Sequence, residues 1–263
     1  SYTSDGTDYT TLVAKEMGID GESYDGKTMI RMRNGSGIDD LKKQAMDELT
    51  AIGVEFPVHC HYHIIAGNTT ALDTATILKQ CFTDSFGDDF IVLDIETFVS
   101  SVMKEIVAPQ QQCFIHMGWG ADFGDPVNFL TQEVLHDDNA YYSCNLTNIA
   151  SVAENPADYQ ADLVSAFETF TDMVNEAKAI VDDTAARYAA FAKAEAFFLE
   201  NNLTCPTVYD VSWCLTHANE YSKINAMYGP CNYKAVNWET SEEAYTTVQY
   251  EAFAKAYDQA TQG

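Results

Sequence analysis

Val58-His59-Cys60-His61-Tyr62-His63-Ile64-Ile65 decides how the chain is read. It follows Pro57, is rich in β-branched and aromatic residues and alternates in face, so it reads as a strand. Ahead of it Ile38, Leu41, Ala45, Met46, Leu49 and Ile52 recur at helical spacing among Asp39, Asp40, Lys42, Lys43 and Glu48. Gly53 sits where the C-terminal cap of that amphipathic helix belongs. Behind the strand, Ala71, Ala75, Leu78 and Phe82 mark a second helix closing near Gly87, and Phe90 to Ile95 reads as a second strand. Phe98 to Val107 is expected to be a third helix, and Cys113 to Gly118 a third strand running into a glycine-containing turn. Strands alternating with helices of this length predict an α/β fold, a mixed β-sheet flanked by helices.

Beyond Pro126 the pattern changes. Val127 to Leu135 is a short helix candidate, and Asp137 to Asp158 reads as loop. Tyr159 to Asn202 reads as two long helices interrupted near Asp182 to Thr184, the second rich in alanine, the strongest helix former. Phe167, Phe170, Phe191, Phe197 and Phe198 form an aromatic stripe expected to be helix core. Val208 to Leu215 is strand-like, an irregular segment holds Gly229 and Pro230, and a final helix is expected from about Ser241 to Ala260.

The 263 residues suit one large domain or a lobe with extensions, and 46% hydrophobic with 21% charged residues is a globular composition. A net charge of -26 repels nucleic acid and anionic lipid, which excludes polyanion binding. No apolar run is long enough to span a bilayer. Ser1 to Thr10 is polar, with Asp5 and Asp8, and reads as neither signal peptide nor lipid anchor, so if the protein is exported its targeting segment is expected outside this chain. The seven cysteines include no C-x-x-C pair, which leaves a zinc ribbon or thioredoxin-like motif unsupported. Cys144, Cys205 and Cys231, in looser segments, are candidates for a bridge.

Chemistry concentrates in Met117-Gly118-Trp119-Gly120-Ala121-Asp122-Phe123-Gly124-Asp125-Pro126. Glycines let a backbone turn and approach a ligand, Trp119 offers a flat apolar wall, and Asp122 a fixed negative charge. A turn leading from strand to helix in an α/β sheet is also where ligands dock. The competing account is a tight turn with Asp125 capping the helix that begins at Pro126. A second constellation is His59, His61 and His63, which period two sets on one strand face, where neighbouring imidazoles can share zinc or copper. No H-E-x-x-H motif accompanies them. Nucleophilic catalysis has no positive sign, since Ser212 and Ser222 lack a G-x-S-x-G context. Neither a P-loop nor a dinucleotide fingerprint is present, and no cofactor is expected.

Trp119-Gly120-Ala121-Asp122-Phe123-Gly124-Asp125-Pro126 with Phe129-Leu130 resembles the W-x-A-D-[YF]-x-D-P-x-x-F-L signature of the family 5 extracellular solute-binding proteins. These are the oligopeptide and dipeptide receptors of ABC importers. Further likenesses follow in the family's order. Asp39 to Pro57 is similar to the start of its carboxy-terminal lobe. Arg187-Tyr188 through Ala192, Ala194 and Glu195 is similar to its R-Y-x-x-x-A-x-A-E helix, and Tyr221 to Lys234 to its return segment.

The resemblance implies the carboxy-terminal lobe of a type II periplasmic-binding-protein-like clamshell. Residues 1–36 would be a lead-in segment, 37–220 the α/β lobe, and 221–263 the return segment and final helix. It further implies a binding protein and not an enzyme, closing on a peptide or other small solute without a covalent step. Its partners would be the membrane permease and the amino-terminal lobe of the same polypeptide. Its place would be the outer face of the cell membrane, as a lipoprotein, or the periplasm. Asp122 would pair with the ligand α-ammonium, Trp119 and Phe123 would surround it, and Gly118 would offer its backbone to an extended peptide. His116 stands where several such receptors carry an arginine, which implies a weaker grip on a ligand carboxylate.

Overall fold

A computed structural model describes residues 6–19, 38–207, 215–222 and 238–261. The chain forms two compact units, Ser1–Gly118 with Phe129–Leu203, and Trp119–Asn128 with Thr204–Gly263.

The first unit opens with α1 (Tyr9–Glu16), capped by the Asp8 carboxylate, which accepts from the Thr10 N–H. Helix α2 (Ile38–Ala51) stops at Gly53, whose φ of 89° closes the helix in a conformation that side chains resist. Its apolar face is covered only in part, with Leu41 and Ile52 exposed. Strands β1 (Val58–Ile65) and β2 (Ile91–Phe98) pair in parallel, Val58 opposite Ile91 through Ile65 opposite Phe98. Between them runs α3 (Thr69–Phe86), begun by the Asn68 side chain accepting from the Ala71 N–H and ended by Gly87 at φ 75°. Aromatic contacts tie this layer together, from Phe56 on Phe90 to Phe86 and Phe82, and on through Phe114 to Tyr62.

The structure redraws two expected elements here. No helix spans Phe98 to Val107, because β2 continues to Phe98. The Glu105 carboxylate then collects the N–H groups of Val99, Ser100 and Ser101, leaving one π-helical turn at Met103–Val107. Those donors hold the Glu105 carboxyl down at about 2. Nor is Cys113 to Gly118 a strand. The Cys113 N–H reaches the His61 carbonyl at 3.4 Å, but the His61 N–H is taken by the Cys113 sulfur, also at 3.4 Å, and the ladder stops after one rung.

Helix α4 (Val127–Leu130) is shorter than expected. The next N–H groups make tighter bonds, from Gln132 to Phe129 O and from Glu133 to Leu130 O, and Leu135 N–H bonds Thr171 Oγ1. The expected loop at 137–158 holds a π-helical turn, Tyr142–Leu146, and α5 (Ile149–Glu154). The two long helices lie as the sequence predicts, α6 (Ala161–Ala179) and α7 (Thr184–Glu200), with Asp183 capping the second. Phe170 and Phe191 are fully buried and Phe167 and Phe198 nearly so, while Phe197 is only half-buried. Each fully buried ring contributes roughly 1.5–3 kcal/mol by leaving water.

Arg187 closes the hairpin, donating to the carbonyls of Ala177, Lys178 and Ile180 at 3.3, 3.1 and 3.0 Å and stacking over the Phe191 ring. Tyr188 meets Tyr9 edge-on, docking α1 on α7. Ala192 and Ala194 are fully buried, and burial pushes the Glu195 carboxyl above its ordinary value, an effect the nearby Tyr9 hydroxyl partly offsets.

In the second unit β3 (Ala218–Asn219) pairs antiparallel with β4 (Glu239–Thr240), and the buried Asn219 amide donates to Glu239. The described strands thus form two two-stranded sheets, not one mixed sheet. Helix α8 (Thr247–Thr261) begins later than expected. Thr246 and Gln249 form a capping box, the Gln249 side chain accepting from the Thr246 N–H and the Thr246 hydroxyl from the Gln249 N–H. Tyr221 packs on Tyr250 and Tyr257. The strand-like stretch lies outside the described residues up to Cys214, as do Ser212, Gly229, Pro230 and the return segment from Lys223 to Lys234. Cys144 and Cys205 are free, and Cys231 falls outside the described residues. Among the described residues no helix is long and apolar enough to cross a membrane.

Replacing Arg187 with alanine should lower stability by about 2 kcal/mol in urea unfolding, and lysine should restore only part, because a point charge cannot both fork and stack. Burial pushes the Glu133 carboxyl up from 4.5 to about 7. The folded state therefore holds that proton more tightly than the unfolded chain, and the resulting stability is present at low pH and lost as pH rises through about 7. Glu133→Gln should be more stable than the parent by roughly 1–3 kcal/mol at about pH 8, with the difference gone near pH 4, in thermal melts across that range.

Candidate functional site

Asp125 and Pro126 start α4 as a capped helix should. The Asp125 carboxylate accepts from the Val127 N–H at 2.9 Å, and its carbonyl accepts from the Asn128 N–H at 3.0 Å. The helix direction brings Asn128 back under the turn. Its side-chain oxygen accepts two hydrogen bonds of 3.0 Å, one from the indole N–H of Trp119 and one from the backbone N–H of Asp122. Its amide nitrogen faces Asp122 Oδ2 at 3.5 Å. Asn128 is buried, Trp119 half-buried and Asp122 exposed. The turn therefore presents an anchored carboxylate to solvent, beside an indole held by the same amide.

Phe123 is 47% exposed and offers its ring to solvent. The expected set is split at the Gly118–Trp119 bond, with Trp119, Asp122 and Phe123 in the second unit and His116 and Gly118 in the first. Neither Gly118 nor Gly120 has positive φ, and a Cβ built on either meets nothing within 4 Å. No packing demand explains glycine there, and the bare backbone of both is open to close approach. His116 and Met117 line a cavity of about 220 Å³ with Tyr62, His63, Phe98 and Phe114. Its volume suits one side chain rather than a whole ligand, for which about 300 Å³ or more is usual. Asn128 was absent from the sequence reading, since it occupies a position the signature leaves open. Its only sequence signal is an amide two residues past a helix-starting proline.

The three histidines do share one face of β1, but each imidazole is taken by a carboxylate of β2. His59 Nδ1 meets Asp94 at 2.7 Å, His61 Nδ1 meets Glu96 at 2.7 Å, and His63 Nε2 meets Glu96 at 3.0 Å. Among the described residues no three His, Cys, Asp or Glu side chains converge to hold a metal ion, so the metal reading has no geometric support. Asp94 and Glu96 carry their own period-two signal, which pairs them with the histidine face once the strands are in parallel register.

No protein-family model matches the chain. The oligopeptide-binding protein AliB of Streptococcus pneumoniae is 26% identical over 171 residues, 63% of this chain and 25% of that protein. The chain is similar to streptococcal oligopeptide-binding proteins. AliA of the same species is 22% identical over 215 residues, 78% of this chain and 32% of that protein. SarA of Streptococcus gordonii is 27% identical over 171 residues, 62% of this chain and 25% of that protein. The chain thus spans about a quarter to a third of the length of the curated relatives it matches.

Asn128→Ala strands two N–H donors, so it should cost about 1–2 kcal/mol in urea unfolding and alter tryptophan fluorescence, and Asn128→Asp, which keeps the acceptor but sets a carboxylate where the amide nitrogen faces Asp122 Oδ2, should also be less stable than the parent at neutral pH.

Proposed function

We propose that this chain is part of the substrate-binding component of a peptide-importing ABC transporter, and that Asp122 receives the α-ammonium of the bound peptide. The observation that carries the reading is the exposed Asp122 carboxylate, fixed at its backbone by Asn128 beside the indole of Trp119. An ammonium meeting a carboxylate whose chain is already held gains charge-assisted hydrogen bonds at a small ordering cost. Similarity to relatives named for oligopeptide binding supports the same ligand class.

In this proposal the chain supplies one wall of an interlobe cleft, as the carboxy-terminal lobe of a longer polypeptide. Residues 37–220 make the α/β lobe, with 1–36 leading in and 221–263 returning. Another lobe closes over the peptide, and the loaded protein delivers it to the permease at the outer face of the membrane or in the periplasm. Gly118 offers backbone groups to an extended ligand, and Trp119 and Phe123 cover its first residues. His116, where an arginine would grip a carboxylate, favours ligands that do not depend on that contact. Binding is non-covalent throughout, without a cofactor.

Calorimetry on the full-length polypeptide tests this directly. Free peptides should bind at least tenfold more tightly than their N-acetylated forms, Asp122→Asn should erase that difference, and replacing His59, His61 and His63 should not. Equal affinity for free and acetylated peptides would remove the ammonium role.

A further inference from the structure

The edge of β1 that faces away from β2 carries a feature that peptide binding does not use. Cys113 meets that edge with both its backbone and its side chain. Its N–H donates to the His61 carbonyl at 3.4 Å, and its sulfur accepts from the His61 N–H at 3.4 Å and donates to the His59 carbonyl at 3.8 Å. The residue between those two histidines is Cys60. The Cys113 sulfur is thus held against the peptide groups on both sides of Cys60, near enough that it helps to raise the Cys60 thiol. Five cysteines are free among the described residues, and these are two of them.

We propose that Cys60 and Cys113 form a disulfide in an oxidising medium, fixing the segment that begins at Cys113 to the edge of β1. The geometry brings one sulfur against the peptide groups that flank the other cysteine, on backbones already hydrogen-bonded, which is the approach a disulfide requires. The chemistry has an order. Cys113 is exposed and Cys60 half-buried, so Cys113 meets the oxidant first. With a small-molecule disulfide such as oxidised glutathione, the Cys113 thiolate attacks one sulfur and releases one glutathione thiol. The Cys60 thiol then loses its proton, attacks the Cys113 sulfur of the mixed disulfide and releases the second. Two thiols are oxidised, one external disulfide is reduced, and two protons pass to the thiols released. Burial and the neighbouring sulfur push the Cys60 thiol up to about 11, which makes the second step the slow one.

The bond would do what the backbone does not. A third strand fails to form here because sulfur occupies the next ladder position, and the segment makes a single backbone-to-backbone bond to β1. A covalent link at the same residue holds the start of the run that leads to His116 and Gly118, and it lowers the entropy of the unfolded chain by closing a long loop. None of this depends on the identity of the ligand.

The test uses the full chain, reduced and then equilibrated with oxidised glutathione. Free thiols are alkylated, and the digest is read by mass spectrometry. A peptide joining Cys60 to Cys113, lighter than its reduced parts by two hydrogens, is the expected product. Oxidation should also raise Tm by several degrees in the parent, but not in Cys60→Ala or Cys113→Ser, whose folding is checked by circular dichroism. Both cysteines recovered alkylated after full oxidation, or joined instead to Cys144, Cys205, Cys214 or Cys231, would overturn the proposal.

Discussion

Two parallel strands cannot be joined by a tight turn, and the first unit is organised by that constraint. Because β1 and β2 run the same way, the chain must cross over, and the 18-residue α3 is the crossover. The helix buries Ala75 completely, and Leu93 of β2 is 1% exposed. Parallel register also decides what lies beside what on the other face. Asp94 and Glu96 come within reach of three imidazoles that, in sequence, look like a metal site. The opposite edge of β1 is left to Cys113, from which the chain runs on through His116 to Gly118.

The acidic groups of this very acidic chain have different fates. Those of β2 are engaged by histidines, and Glu105 gathers three backbone N–H groups. Asp122 is different. Its backbone is held, but its carboxylate faces water, with only a 3.5 Å approach from the Asn128 amide. A carboxylate positioned by the main chain and left open can exchange water for a cation without rearrangement, which is the physical basis of a recognition site. The indole beside it is pinned by the same amide oxygen, so one buried side chain sets both the charge and the wall.

The stretches of family resemblance have different physical meanings. Arg187, Tyr188, Ala192, Ala194 and Glu195 are accounted for by packing: a guanidinium over three helix-end carbonyls, a ring against α1, two fully buried alanines, and a buried carboxyl near the Tyr9 hydroxyl. The turn at 119–126 also contains scaffold in Asp125 and Pro126, yet leaves Asp122, Phe123 and Gly120 with exposed groups that no packing explains.

What the sequence determined by itself is what short-range physics governs. Gly53 and Gly87 end helices, Asp183 begins one and alternation marks β1, because each depends on backbone sterics or on bonds spanning a few residues. Tertiary structure alone decided the partners of His59 and His61, 35 residues away in each case, and the failure of Cys113 to Gly118 to become a strand. It also decided that Asn128 would hold Trp119 and Asp122 together. In those cases one donor or acceptor has several chemically equal partners along the chain. Only register and the path of the backbone choose among them.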